Sequence, residues 1–185
     1  KGKISFLGIV FTLLVHLLFS QGRQLNWMAD GSTYTKIKDG NIVKIDPKTE
    51  AETLFIKKEQ LTVNGKALKT DSYMLSSDNT KLLLFVNTQK VWRYNTKGDY
   101  WILNIATDKL QQLGKTMPES SLMFAKLSPD GKLAAYVSDN NIYVEDLDSS
   151  NIKAVTTDGS TTLINGTFDW AYEEEFACRD GFRWS

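Results

Sequence analysis

Ala125-Lys126-Leu127-Ser128-Pro129-Asp130-Gly131-Lys132-Leu133-Ala134-Ala135-Tyr136-Val137 reads as two short apolar strands joined by a tight turn. Pro presets φ for the turn, Asp bonds back to the following backbone, and Gly accepts a positive φ. The pattern returns upstream. Tyr73-Met74-Leu75-Ser76-Ser77-Asp78-Asn79-Thr80-Lys81-Leu82-Leu83-Leu84-Phe85 turns through Asp78-Asn79, and Leu25-Asn26-Trp27-Met28-Ala29-Asp30-Gly31-Ser32-Thr33-Tyr34 through Asp30-Gly31. The turn Asp recurs at positions 30, 78 and 130, a period of about 50 residues. Arg183-Trp184-Ser185 reads as the opening of a fourth copy.

A further alternating strand follows each copy: Asn41-Ile42-Val43-Lys44-Ile45-Asp46, Asp99-Tyr100-Trp101-Ile102-Leu103-Asn104 and Asn141-Ile142-Tyr143-Val144-Glu145-Asp146. A polar turn and a shorter strand come next, as in Asn151-Ile152-Lys153-Ala154-Val155-Thr156. Four strands per unit at this period is the pattern of propeller blades. A plain β-sandwich also gives short strands and turns, but not a turn motif at a fixed long period. The predicted fold is all-β, a partial β-propeller of about three four-stranded blades over residues 23–185. Three blades do not close a ring and leave strand edges unpaired, so the expectation is a piece of a larger protein.

Composition narrows the function. The 185 residues hold 22 Lys plus Arg against 22 Asp plus Glu. With no excess charge of either sign, nothing points to nucleic acid. The single Cys, Cys178, excludes an internal disulfide framework and a multi-cysteine metal site, and no cofactor is expected. The single His, His16, lies in an apolar run, and no Gly-x-Ser-x-Gly elbow occurs, so no Ser-His-Asp relay can be built from these residues.

That apolar run extends from Ile4 to Phe19 behind Lys1 and Lys3, broken by Ser5, Gly8, Thr12 and His16. It is shorter than the roughly 20 residues that span a bilayer. Ser20-Gln21-Gly22 places small residues where a signal peptidase needs them. Residues 1–22 are therefore read as a signal peptide or signal anchor, and the protein as exported: periplasmic, attached to the cell envelope or secreted.

The chemistry gathers at Asp169-Trp170-Ala171-Tyr172-Glu173-Glu174-Glu175-Phe176. An acidic run usually belongs to a solvated tail, but a tail does not interleave Trp170, Tyr172 and Phe176. Asp169 suits an N-cap, and the three Glu fall where the helix dipole favours negative charge. The expected structure is a short helix with aromatics packed inward and carboxylates turned outward toward a cation. The plainer alternative is a solvated turn with a Glu175–Arg179 pair at i,i+4.

This stretch resembles the double-glutamate motif of the dipeptidyl peptidase IV family, and the match runs on through Cys178-Arg179-Asp180-Gly181-Phe182-Arg183-Trp184-Ser185, close to bacterial members. Ala177 stands where Gly is expected. The resemblance implies that Glu174 and Glu175 grip the α-ammonium of a peptide substrate, with Glu173 beside them and Asp169, Trp170 and Tyr172 in support. It also covers Lys90-Val91-Trp92-Arg93-Tyr94-Asn95, where an Arg after Trp reaches the substrate carbonyl and steadies the glutamates; Arg93 occupies that position. A guanidinium suits both tasks. The alternative for Arg93 is stacking on Trp92 or Tyr94 at the blade surface.

The implied parent is a serine dipeptidyl peptidase that releases Xaa-Pro or Xaa-Ala dipeptides. Its catalytic triad would lie in a downstream α/β-hydrolase domain absent from these residues, which alone should be inactive. The expected partners are a peptide with a free N-terminus, that downstream domain and, since the family is often dimeric, a second copy. Family members usually carry a few tens of residues between the signal and the segment that matches Leu25-Asn26-Trp27; here the two nearly abut. The competing reading is a non-catalytic propeller that binds or scaffolds in the cell envelope. Asn165-Gly166-Thr167 reads equally as a glycosylation sequon or a turn, and Cys178 is expected to be packed rather than reactive.

Overall fold

The computed structural model describes residues 25–185; the predicted signal segment, 1–22, lies outside the described residues. Three antiparallel four-stranded units follow one another. The first contains β1 (Asn26–Trp27), β2 (Tyr34–Lys38), β3 (Asn41–Ile45) and β4 (Glu52–Ile56). A 3-10 turn (Lys58–Leu61) and a small hairpin of β5 (Thr62–Val63) and β6 (Lys66–Ala67) lead to the second. That unit comprises β7 (Thr70–Leu75), β8 (Lys81–Val91), β9 (Tyr94–Asn104) and β10 (Lys109–Gln112). The third has β11 (Leu122–Leu127), β12 (Leu133–Ser138), β13 (Asn141–Asp146) and β14 (Ile152–Ala154). Helix α1 (Trp170–Phe176) follows.

The repeated turns work as the sequence suggests. Gly31, Asn79 and Gly131, each directly after the turn Asp, all adopt the left-handed region, at φ of 65°, 58° and 66°. In the second and third copies a Ser two residues before the Asp completes the turn. Ser76 Oγ donates to Asp78 at 2.6 Å and accepts the Lys81 N–H at 2.9 Å; Ser128 Oγ donates to Asp130 at 2.7 Å and accepts the Leu133 N–H at 2.9 Å. Bonding of this kind stabilises the ionised carboxylate. The Ser76 hydroxyl and the Thr80 N–H hold Asp78 down to about 2, and Ser128 lowers Asp130 in the same way. The first copy has Met28 in place of the Ser, and Asp30 accepts from the Ser32 hydroxyl as well as from the Ser32 N–H, both at 2.9 Å.

Strand periodicity explains the core. Alternate residues of β8 face opposite ways. Leu83 and Phe85 join Tyr100, Ile102, Leu122, Ala134 and Tyr136 in the cluster between the second and third units. Leu82, Leu84 and Val86 join Ile42, Ile56, Leu61 and Tyr73 in the cluster toward the first unit. The middle unit is thus buried on both faces, as a blade stacked between two others must be.

One feature departs from independent blades. Strands β8 and β9 are 11 residues each, so their hairpin runs past the blade as an arm. The base of β9 then pairs with β11, with Leu122 opposite Gly98 and Met123 opposite Lys97. Units two and three are joined in one eight-stranded sheet.

Candidate functional site

Arg93 sits at the tip of the arm, in the two-residue link Trp92-Arg93 between β8 and β9. Trp92 takes the left-handed region, at φ 54°, an uncommon conformation for a bulky residue. The base of the arm is bolted down by polar bonds. Asn87, at φ 49°, marks an irregularity in the β8–β9 register. The buried Asp99 carboxylate accepts from the Ser120 N–H at 2.7 Å and from Asn87 Nδ2 at 2.9 Å. Ser120 Oγ donates to the Asn87 carbonyl at 2.9 Å. Opposite the irregularity, a Cβ on Gly98 would lie 2.6 Å from the Phe85 ring and 2.7 Å from the Val86 carbonyl oxygen. Only Gly lets the strands approach this closely.

The helix is carried on a short ladder. The Phe168 N–H donates to the Arg179 carbonyl at 3.1 Å, the Gly181 N–H donates to that of Gly166 at 2.9 Å, and Thr167 bridges Asp180. Lys126 of β11 ties this ladder to the third unit. It ion-pairs with Asp180, donates to the Phe182 carbonyl at 2.7 Å and lies 4.3 Å from the centre of the Phe182 ring. Within Asn165-Gly166-Thr167 the chain bends at Gly166, at φ 80°, where a Cβ would lie 2.5 Å from Val137 and 2.8 Å from Ile142. Asp169 is the N-cap, accepting the Tyr172 N–H at 3.1 Å. Ala177 ends the helix in the left-handed region, at φ 52°.

The two faces of the helix are reversed from the sequence expectation. Trp170 and Phe176 are 62% and 69% exposed, and Tyr172 is exposed as well. Glu173 is 8% exposed, and the Glu174 side chain only 19%. The cause is long-range. Cations from other segments occupy the inner side, and a carboxylate can be buried where a cation meets it. Outside, Tyr172 stacks on Phe168 with ring centres 5.2 Å apart and meets Phe176 in a tilted contact at 5.7 Å.

The arm tip and the helix meet. Arg93 Nη1 lies 2.7 Å from Glu174 Oε2. Arg93 is therefore not stacked on Trp92 or Tyr94; the guanidinium over Tyr94 belongs to Arg179, 3.7 Å from the ring centre. Arg179 Nε also faces Glu173 Oε1 at 3.9 Å, too long for a hydrogen bond. The Glu175–Arg179 pair does not form, because Arg179 is drawn to the arm side and Glu175 is exposed. Cys178, expected to be packed, is exposed. Its place just past the left-handed helix end turns it outward, with Sγ 3.5 Å from the Phe176 carbonyl.

Among the predicted residues the structure brings together Arg93, Glu173 and Glu174, leaves Glu175 open beside them, and gives Asp169 a capping role. Trp170 and Tyr172 are both exposed rather than packed in a core, and Tyr172 stacks on Phe168. Tyr94 and Arg179 belong to the cluster as a mutual pair, which sequence reasoning did not find; the aromatic density around Arg93 was the one available hint. A hollow of about 740 Å³ lies between the β5–β6 hairpin and the base of the arm, bordered by Lys69, Asn87, Asn95, Trp101 and Glu119. None of the acidic cluster borders it. Among the described residues no group of three or more His, Cys, Asp or Glu is placed to hold a metal ion.

Comparison with known proteins bears on this arrangement. The model of the dipeptidyl peptidase IV N-terminal region matches residues 76–185. Dipeptidyl-aminopeptidase B of Aspergillus niger is 31% identical over 168 residues, which are 91% of this chain and 18% of the relative. A probable dipeptidyl-aminopeptidase B of Aspergillus oryzae is 34% identical over 139 residues, 75% of this chain and 15% of the relative. The crystal structure of Porphyromonas gingivalis dipeptidyl peptidase 4 superposes with a TM-score of 0.75 at 27% identity, covering 86% of this chain and 23% of that one. The chain spans less than a fifth of the length of these two curated relatives.

Proposed function

Because this chain belongs to the dipeptidyl peptidase IV N-terminal-region family, we propose that it is the part of a dipeptidyl peptidase that recognises the free N-terminus of a peptide. The observation that carries the reading is the Arg93–Glu174 contact at 2.7 Å with Glu175 open beside it. Two of the three carboxylates, Glu173 and Glu174, face a guanidinium here, and Glu175 is exposed. One negative charge is left over, the complement of a single α-ammonium. Glu174 and Glu175 would take that ammonium, and Arg93, with donors to spare, would take the first carbonyl of the peptide. The scissile bond then falls two residues from the N-terminus.

The resemblance supplies the remainder of the proposal. Ser, Asp and His from an α/β-hydrolase domain of the same protein would cut the peptide, with Pro or Ala preferred at its second residue. Burial between the two domains would strengthen the charge contacts, since an ion pair gains as water is excluded. The apolar residues 1–22 would direct export. The residues of this chain bind and orient; they carry out no bond-breaking step.

The test uses the full-length protein and two chromogenic substrates, Gly-Pro and N-acetyl-Gly-Pro. Only the free-amine substrate should be cleaved. Glu174→Ala and Glu175→Ala should each lose about a hundredfold in kcat/KM, about 2.7 kcal/mol. Equal cleavage of both substrates, or two silent variants, would instead favour a binding or scaffold propeller.

A further inference from the structure

The Arg93–Glu174 pair alone is a weak fastening. The Arg93 side chain is 73% exposed, and pairs so open to solvent contribute little against the freedom of two long side chains. Yet the arm tip and the helix have to hold a fixed spacing if Arg93 and Glu174 are to act on one ligand. A second contact joins the same two elements. Tyr94, the neighbour of Arg93, is covered by the Arg179 guanidinium at 3.7 Å, close enough for the ring face to attract the cation. The Nε of the same guanidinium lies 3.9 Å from Oε1 of Glu173, whose side chain is 7% exposed.

The contact to Glu173 is one of charge rather than directed bonding. Glu173 Oε1 and Arg179 Nε are both buried, and neither has a hydrogen-bond partner. A buried carboxylate without that cation would be costly, so Glu173 holds Arg179 in place and Arg179 holds Tyr94. Arg179 also ends the ladder that carries the helix, its carbonyl accepting the Phe168 N–H at 3.1 Å. Its backbone is therefore fixed to the helix base while its side chain reaches the arm.

We infer that Arg179 is a positioning residue, which docks the arm tip through Tyr94 and so sets Arg93 against Glu174. The inference rests on the clamp reading above. Arg179 touches no ligand in this scheme. Glu173 serves it as a counter-charge and is not a third gripping carboxylate.

Two measurements on the full-length protein test this together. Hydrogen exchange over residues 90–96 reports docking of the arm tip, whether or not the clamp is functional. The KM and kcat for Gly-Pro chromogenic substrate report the consequence. Arg179→Ala and Tyr94→Ala should both speed exchange at the tip and raise KM about tenfold, with kcat within about twofold. The double variant should be no worse than either single one, because the two residues form one contact. Arg179→Lys keeps a cation beside Glu173 but not the planar face, and should recover only part of the loss.

Unchanged exchange in Arg179→Ala overturns the inference whatever happens to KM, since a raised KM would then mean direct contact with substrate. Faster exchange with unchanged KM also overturns it, provided that Arg93→Ala raises KM. If Arg93→Ala and Glu174→Ala are themselves silent, the clamp reading has failed. Faster exchange in both single variants would in that case still establish the docking contact, and slow exchange would remove it.

Discussion

The Arg93 guanidinium meets the Glu174 carboxylate at 2.7 Å, although one comes from a hairpin tip in the second unit and the other from a helix after the third. The exposure of Arg93 fixes what this pair can contribute to stability. A double-mutant cycle with Arg93→Ala and Glu174→Ala should give a coupling of less than about 1 kcal/mol in urea unfolding, vanishing in high salt. A larger, salt-resistant coupling would show the pair to be shielded from solvent.

Gly98→Ala should damage the arm without touching its tip. The new Cβ would meet the Val86 carbonyl and the Phe85 ring, and that ring is already stacked on Tyr100 with centres 4.6 Å apart. Neither neighbour can step aside cheaply, so a loss of about 1–3 kcal/mol is expected. Thermal unfolding measures it, and an unaltered Tm would show that the strands are not pressed together there.

Ala177→Gly should stabilise. Ala177 holds a left-handed backbone, at φ 52°, which costs a residue with a Cβ about 1–2 kcal/mol. Part of that gain is returned as greater freedom of Gly in the unfolded chain. A net gain of about 0.5–1 kcal/mol is expected, with Ala177→Val shifting the other way. Chemical denaturation of the three proteins decides it.

Glu145 gives a pH dependence with a definite sign. Its Oε2 accepts the Gly114 N–H at 2.8 Å and the Tyr136 hydroxyl at 3.0 Å, and burial pushes its carboxyl up from the usual range. The folded state therefore binds the proton more tightly than the unfolded one. The stabilisation is complete below the unfolded value, about 4.3, and fades as pH rises through the folded one. Glu145→Gln keeps an oxygen for both donors and cannot ionise. Its Tm should exceed that of the natural protein above this transition and lose the decline. The turn Asp78, held to about 2, adds its own loss of stability toward acid pH, but both proteins carry it and it cancels in the comparison. Parallel Tm–pH curves for the two proteins would refute the assignment.

What was legible in the sequence was local. Asp30-Gly31, Asp78-Asn79 and Pro129-Asp130-Gly131 build their turns from their own atoms, and Asp169 caps its own helix. The departure at Ala177 was visible too, and the left-handed backbone there is its physical content. The orientation of the helix was not legible. Amphipathic reasoning put aromatics inside and charges outside, but Arg93 and Arg179 reward the opposite arrangement, and Arg93 arrives from far along the chain. Likewise nothing local in Lys90-Val91-Trp92-Arg93-Tyr94-Asn95 marks it as the end of a long hairpin. It is one arm because Gly98 permits close packing and β11 lends it an edge.

The arm also settles an order of events during synthesis. A hairpin contact is local and closes within microseconds, while the ribosome adds roughly 5–20 residues each second. Strands β8 and β9 can therefore pair long before Glu173, Glu174 and Glu175 are made, and β11 then adds to an edge that already exists. Three adjacent carboxylates, which would repel one another on a bare chain, emerge after it, and Glu174 meets a guanidinium already held at the tip of a finished hairpin. The acidic helix is assembled onto its counter-charge.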